Sequence, residues 1–336
     1  MKIKLNILLF LISFNGFSQK NFEKIDENAR NMDYSPNKEL AKELTKGLTS
    51  DIDKVRSIFI WITDNIEYDF ELLNNQELQD KVFTSNNTII EHTLKTKKAI
   101  CSGYSILFKN LCDKVGVESV SIEGISRQFL DRVKRKNEPD HAWNAVKIDN
   151  KWFLLDVTWA SGNGLGNNFE KDFNDYWFLT NPKEFFHSHF PTEQKWSLLN
   201  KKLNINEFYD LPLIVSNHLF TQGISLITPK NGIIEISNDN KFKFIFTSEN
   251  IESEISLIGF PGETYASLNN LPAPSDEEYF ENIDKYSLMI PSIKLINKTV
   301  ENKKTTLEYR VIHKSLKNIS LSINEKQTAE YKVKWK

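Results

Sequence analysis

Apolar residues recur along this chain with two different periods. Between residues 50 and 116 the spacing is helical, with Val55, Ile58, Phe59 and Ile62 standing at i, i+3, i+4 and i+7. Ser50 is placed to cap that helix with Asp53 near its N3 position, and residues 61–65 close it. Residues 66–69 then read as a turn or a short extended piece. A second helix is better marked. Tyr104, Leu107, Phe108, Leu111, Cys112 and Val115 form one apolar stripe, Cys101 stands at its N-terminus, and Gly116 sits where a C′ glycine ends a helix. The period then shortens to two. Residues 141–148 and 151–159 flank Asp149-Asn150 and predict a β-hairpin. Beyond about residue 207, alternating runs at 223–228, 233–236, 242–247, 255–260, 286–291, 306–313, 319–323 and 331–335 predict strands of an antiparallel β-sandwich.

The first eighteen residues follow another logic. Lys2 and Lys4 precede an apolar run over residues 5–14, and Gly16-Phe17-Ser18 puts small residues at −3 and −1 of a cut before Gln19. This is the pattern of a secretory signal peptide. Spanning a bilayer takes ~20 apolar residues, a length that no stretch reaches. The expected organisation is a signal peptide over 1–18, a helical lead-in over 19–49, an α+β domain over 50–200 and a β-sandwich over 207–336. The expected location is secreted or periplasmic, with no membrane span after cleavage.

Composition narrows the function classes. Hydrophobic residues make up 40% of 336 and aromatics 12%, including 23 Phe and 7 Trp, enough for packed cores. Lysine plus arginine number 43 against 45 aspartate plus glutamate, a net charge of −2 that gives no global attraction to nucleic acid. The two cysteines make no disulfide framework and no CxxC or zinc spacing, so no metal or cofactor is expected.

Three residues carry the candidate chemistry. A thiol at a helix N-terminus feels the positive end of the helix dipole and unpaired N–H groups, both of which favour thiolate, so Cys101 is placed as a nucleophile. Ser102-Gly103 would let the backbone approach a substrate carbonyl, with the Cys101 N–H as an oxyanion donor. Cys112, mid-helix on the core stripe, is a buried structural cysteine. The two lie eleven residues apart on one helix, or ~16 Å, too far for a disulfide that tolerates ~7 Å between Cα atoms. With a two-residue turn, His141 and Asp156 fall on one face of the hairpin as a diagonal pair, backbones ~7–8 Å apart and within side-chain reach of a hydrogen bond. Apolar neighbours surround Asp156, and a lone buried carboxylate is costly, so a basic partner is expected. The order Cys101, His141, Asp156 gives nucleophile, base and orienting carboxylate.

Several segments in order carry a resemblance. Residues 61–69 (WITDNIEYD), 99–105 (AICSGYS), 141–144 (HAWN), 155–159 (LDVTW), 174–178 (NDYWF) and 188–191 (SHFP) resemble the transglutaminase-like branch of the papain-like superfamily, and more narrowly the kyphoscoliosis peptidase-type proteins. The similarity covers about residues 50–200. It implies Cys101 as nucleophile, His141 as base and Asp156 as orienter, on a helix packed against an antiparallel sheet. Papain-type enzymes place an oxyanion glutamine six residues before the cysteine, where this chain has Lys95, and Trp61 is the substitute candidate.

Other features have blander readings. Arg127, Arg132, Lys134, Arg135 and Lys136 read as a solvated basic loop. His187 and His189 have the i, i+2 spacing of strand metal ligands, without an evident third ligand. The glycine-rich segment 161–168 lacks a P-loop ending and reads as a mobile loop beside the site. The sequence therefore predicts a transglutaminase-like cysteine domain followed by a β-sandwich, acting on peptide or protein amides through an acyl-thioester. Hydrolysis by a cysteine peptidase stands ahead of amine transfer by a crosslinking transglutaminase. A catalytically silent scaffold of the same fold, with the sandwich docking to a cell-surface partner, is the non-enzyme alternative.

Overall fold

The computed structural model describes residues 21–33, 39–127, 138–165, 168–216, 219, 223–248, 254–261, 293–312 and 316–336. The segment expected as a signal peptide, Arg132 to Lys136 and the strand expected over 286–291 lie outside them. Helices α1 (Glu23–Arg30), α2 (Leu40–Leu44) and α3 (Asp51–Asn65) come first. They are followed by β1 (Glu67–Tyr68), α4 (Phe70–Asn74), α5 (Gln76–Val82), α6 (Asn86–Thr96), β2 (Lys98–Ala99) and α7 (Cys101–Lys114). Next come β3 (Ser119–Ser126), β4 (His141–Ile148), β5 (Lys151–Leu155), α8 (Val157–Ser161), β6 (Gly162–Leu165) and β7 (Asn168–Lys171). Then α9 (Pro182–Phe185), β8 (His189–Pro191) and α10 (Ile205–Tyr209) lead into β9 (Leu213–Ile214), β10 (Ile224–Thr228), β11 (Ile233–Ile236) and β12 (Lys241–Ser248). The chain ends with β13 (Ile255–Pro261), β14 (Ile293–Glu301), β15 (Lys304–Val311), β16 (Leu316–Ile323) and β17 (Lys326–Trp335). Among the described residues, no helix is long and apolar enough to cross a membrane.

Two compact units interleave along the sequence. One comprises Met1–Ser119, Val146–Lys151 and Val157–Asn174, and the other Val120–Ala145, Trp152–Asp156 and Asp175–Lys336. In the first unit α3 is the buried axis. Ser50 caps it by accepting from the Asp53 N–H, and Arg56 ties it to α1 through two hydrogen bonds to Asp26 at 2.8 and 2.7 Å. Residues 157–159 were expected to continue a strand but belong to α8, which packs on α3 and α7. Within residues 161–168, expected as a mobile loop, Gly162–Leu165 forms β6, which pairs antiparallel with β7 from Asn168 onward.

Most of a four-stranded sheet ordered β5-β4-β3-β8 falls in the second unit, with the segment Val146–Lys151 that turns from β4 to β5 counted in the first. Its β4–β5 turn is Asp149-Asn150 with φ of 48° and 60°, the double positive φ of the tight hairpin turn that suits twisted strands. The sandwich follows in the second unit, with sheets ordered β10-β12-β15-β14 and β11-β17-β16-β13, β9 adding to β17. One correction to its expected topology is that β11 runs parallel to β17. Phe244, Ile236, Ile319, Leu321 and Tyr331 from both sheets fill one core, where the Phe244 and Tyr331 rings meet edge to face at 5.7 Å. Strand β14 was not expected, because its side chains after Ile293 are all exposed and show no alternation.

Candidate active site

In the first unit, β2 runs parallel to β1 and delivers the chain into α7 through Ile100, whose backbone is extended. Cys101 is the first residue of the helix, half-buried, and Ile100 supplies no side-chain cap to the first-turn N–H groups. Those donors are the source of the helix's positive end. Tyr104 fixes the first turn by donating its hydroxyl to the Ile66 carbonyl at 2.9 Å. Gly103 has a different role from the one expected. A Cβ there would stand 2.8 Å from the Ala99 Cβ, so glycine lets α7 press on the strand before it. Cys112 is fully buried, and burial pushes its thiol up more than a hydrogen bond with Ser119 lowers it. Both cysteines are free thiols.

Trp61 does not point an available donor anywhere. It is fully buried on α3, its indole N–H donates to the Met32 carbonyl at 2.9 Å, and the Lys97 ammonium lies 4.4 Å from its ring centroid. An oxyanion role would first require breaking that bond, so the structure corrects this expectation.

The second unit holds the ionisable cluster. His141 opens β4, and Asp156 follows directly on β5. His141 Nε2 is 2.6 Å from Asp156 Oδ2, with relative exposures of 7% and 0%. A third group completes the cluster. His189, the first residue of β8 and opposite Ser126 of β3, places its Nε2 3.0 Å from the same oxygen. Burial alone would raise the Asp156 carboxyl, but attraction and hydrogen bonding from His141, and then from His189, outweigh it and hold the group well below the usual carboxylate range. Asp156 is therefore ionised and only accepts, so each imidazole presents Nε2–H to it. For His141 this leaves Nδ1 as the nitrogen that takes a proton.

His189 is the functional candidate that sequence reasoning passed over. It was weighed with His187 as a metal pair, but β8 begins only at His189, so the two are not strand neighbours. His187 instead places Nδ1 3.1 Å from the Pro212 carbonyl, and burial lowers it to about 4. The nitrogen and oxygen atoms of His141, Asp156 and His189 all lie within 4.8 Å of one another, a set of zinc-ligand type. Their 2.6 and 3.0 Å separations are those of hydrogen bonds, whereas tetrahedral ligands ~2 Å from zinc stand roughly 3.3 Å apart. The usable signal for His189 was the segment 188–191 already singled out by resemblance.

Arg127 also departs from its expected place in a solvated loop. It is buried, and its guanidinium donates to the Phe208 and Leu211 carbonyls at 2.8 and 2.7 Å. Of the glycine-rich segment, Gly164 packs against Phe70, where a Cβ would meet the ring at 2.7 Å.

Residues 38–157 match the family model of the transglutaminase-like superfamily. Kyphoscoliosis peptidase of Mus musculus is 32% identical over 222 residues, which cover 65% of this chain and 32% of that protein. The Homo sapiens kyphoscoliosis peptidase is 31% identical with the same two coverages. The crystal structure of a TGase aligns with 18% identity and a TM-score of 0.28, covering 52% of this chain and 40% of that one. The chain spans about a third of the length of the curated relatives it matches.

Proposed function

We propose that the transglutaminase-like domain carried by this chain is a cysteine peptidase, working through Cys101, His141 and Asp156. The observation that carries the reading is the buried 2.6 Å bond between His141 Nε2 and Asp156 Oδ2, which fixes one tautomer of the His141 ring. Cys101 at the head of α7 supports it from the other unit. Two curated relatives named as peptidases support the choice of hydrolysis.

In this mechanism His141 Nδ1 takes the Cys101 thiol proton, and the thiolate sulfur adds to an amide carbonyl carbon. The tetrahedral intermediate collapses as its C–N bond breaks, and His141 returns the proton to the leaving amine. The resulting acyl-thioester is attacked by water, which gives its proton to His141. Collapse then releases the acid and restores the thiol. Asp156 stays ionised throughout and stabilises the imidazolium. An amine in place of water at the last stage would make the same domain a crosslinking transglutaminase.

The test is iodoacetamide labelling across pH with site-resolved mass spectrometry, in wild type and His141→Ala. Cys101 is expected to alkylate well below pH ~8.5, the free-thiol reference, and to lose that reactivity in the variant. Cys112 is the internal control, since its thiol is buried and raised. Amide hydrolysis should fall roughly 10²–10⁴-fold in His141→Ala and be absent in Cys101→Ala. A Cys101 as inert as Cys112 would overturn the enzyme reading in favour of a scaffold. Amine incorporation without new peptide termini would overturn hydrolysis.

A further inference from the structure

Asp156 is fully buried, yet a single one of its oxygens serves two histidines. A carboxylate oxygen offers about two lone-pair sites, so the His141 and His189 donors fill Oδ2 and the carboxylate cannot swivel without losing one of them. The second histidine is itself held rigidly. The Phe185 ring lies on it at 4.0 Å and 27°, with Trp143 at 4.9 Å and Trp177 at 5.3 Å meeting it edge to face. Its Nδ1 lies 2.8 Å from the Ser188 hydroxyl. We propose that His189 is a positioning residue for the base: by sharing the Asp156 oxygen with His141, it seats the carboxylate and tempers how tightly His141 holds a proton. This rests on the reading of His141 as the base.

Among the described residues, the charged groups around His189 are few. His141 on β4 and Asp156 after β5 face it, while β4, the 175–177 turn and α9 contribute apolar rings. Asp140 is turned to the Ser126 N–H and hydroxyl at 2.8 and 3.1 Å. Arg127 and His187 bind backbone carbonyls, and Glu184 acts on the Tyr176 hydroxyl. Burial lowers His189 to about 4, more than Asp156 raises it, so the ring is a neutral donor at neutral pH. A neutral donor spreads the carboxylate charge without placing a second cation beside the imidazolium. Loss of that donor leaves the whole charge to His141.

The test is histidine NMR on the full chain, read without substrate. In wild type, His189 should show a protonated Nε2 from pH 5 to 8 and a midpoint near 4. A midpoint at or above 6.5, or a ring protonated only on Nδ1, would overturn the proposal without any variant. In His189→Phe, which fills the aromatic box and deletes the donor, the His141 midpoint should rise by about one unit. Substrate turnover in that variant should lose kcat about tenfold or more with KM little changed. His189→Gln restores a side-chain donor and should bring the His141 midpoint back. An unchanged midpoint in folded His189→Phe, or no restoration in folded His189→Gln, would overturn it. Should Cys101 prove inert while these couplings are present, the peptidase reading fails, and with it the name of base for His141, while the coupling of His189 to His141 through Asp156 stands.

Discussion

His187 and His189 are two residues apart, the first half-buried and the second fully buried, and they meet different partners, a backbone carbonyl for one and a carboxylate for the other. Both are lowered to about 4 by burial. Their common consequence is acid sensitivity of the fold. In the unfolded chain each histidine binds a proton near its reference value of about 6.5, whereas in the fold neither does so until about 4. Between these values the unfolded state holds more protons, so stability is complete above the window and falls as pH drops through it. The slope is about 1.4 kcal/mol per pH unit for each histidine. Asp156 adds a later loss. Its folded value lies below the ordinary one, so its contribution is present above about 4 and disappears only in stronger acid. Urea unfolding at pH 7, 6, 5 and 4.5 should show a midpoint that falls steadily, and His187→Asn should flatten the fall. A midpoint constant over that range would contradict the lowered values of the two rings.

At the scale of elements, β8 is only three residues long and hangs on β3 through Gly124, Ile125 and Ser126. Gly124 is what allows the approach. A Cβ there would stand 2.3 Å from the Phe190 carbonyl oxygen and 2.4 Å from the Trp143 ring, and the backbone contact has no easy relief. Gly124→Ala should therefore destabilise the protein by roughly 1–3 kcal/mol and move the His189 ring signals, as thermal melts and histidine NMR would show. The β4–β5 hairpin was legible because Asp149-Asn150 announces its own turn, and turn length alone sets which residues share a face. Helix α3 and α7 were legible from their stripes and ends, down to Gly116 with its φ of +77°. Local sequence misled at residues 157–159, where Val, Thr and Trp favour a strand but packing on α3 and α7 makes a helix. It was silent on β14, whose lysine-bearing, exposed side chains are those of a sheet edge and carry no burial period. His189 was hidden for a different reason: its partner lies 33 residues earlier, and only the sheet brings them together.

For the whole molecule, the join between sheet and sandwich within the second unit depends on a buried charge. Arg127 leaves β3 and holds the carbonyls of Phe208 and Leu211, just before β9 pairs with β17. Phe208 itself packs with Ile125 and Phe186. Burial lowers the guanidinium to about 10, so it stays charged at neutral pH. Arg127→Met keeps the bulk but leaves two carbonyls without donors, and should cost roughly 2–4 kcal/mol in urea unfolding. A loss within 0.5 kcal/mol would mean that water replaces the guanidinium. The interleaving of the two units has one more consequence, and it concerns time. Cys101 lies in one unit, and His141, Asp156 and His189 in the other, in that chain order. A ribosome adding roughly 5–20 residues per second makes the thiol on the order of ten seconds before the last histidine. A nascent chain released early thus keeps its cysteine but lacks the ring that seats the carboxylate.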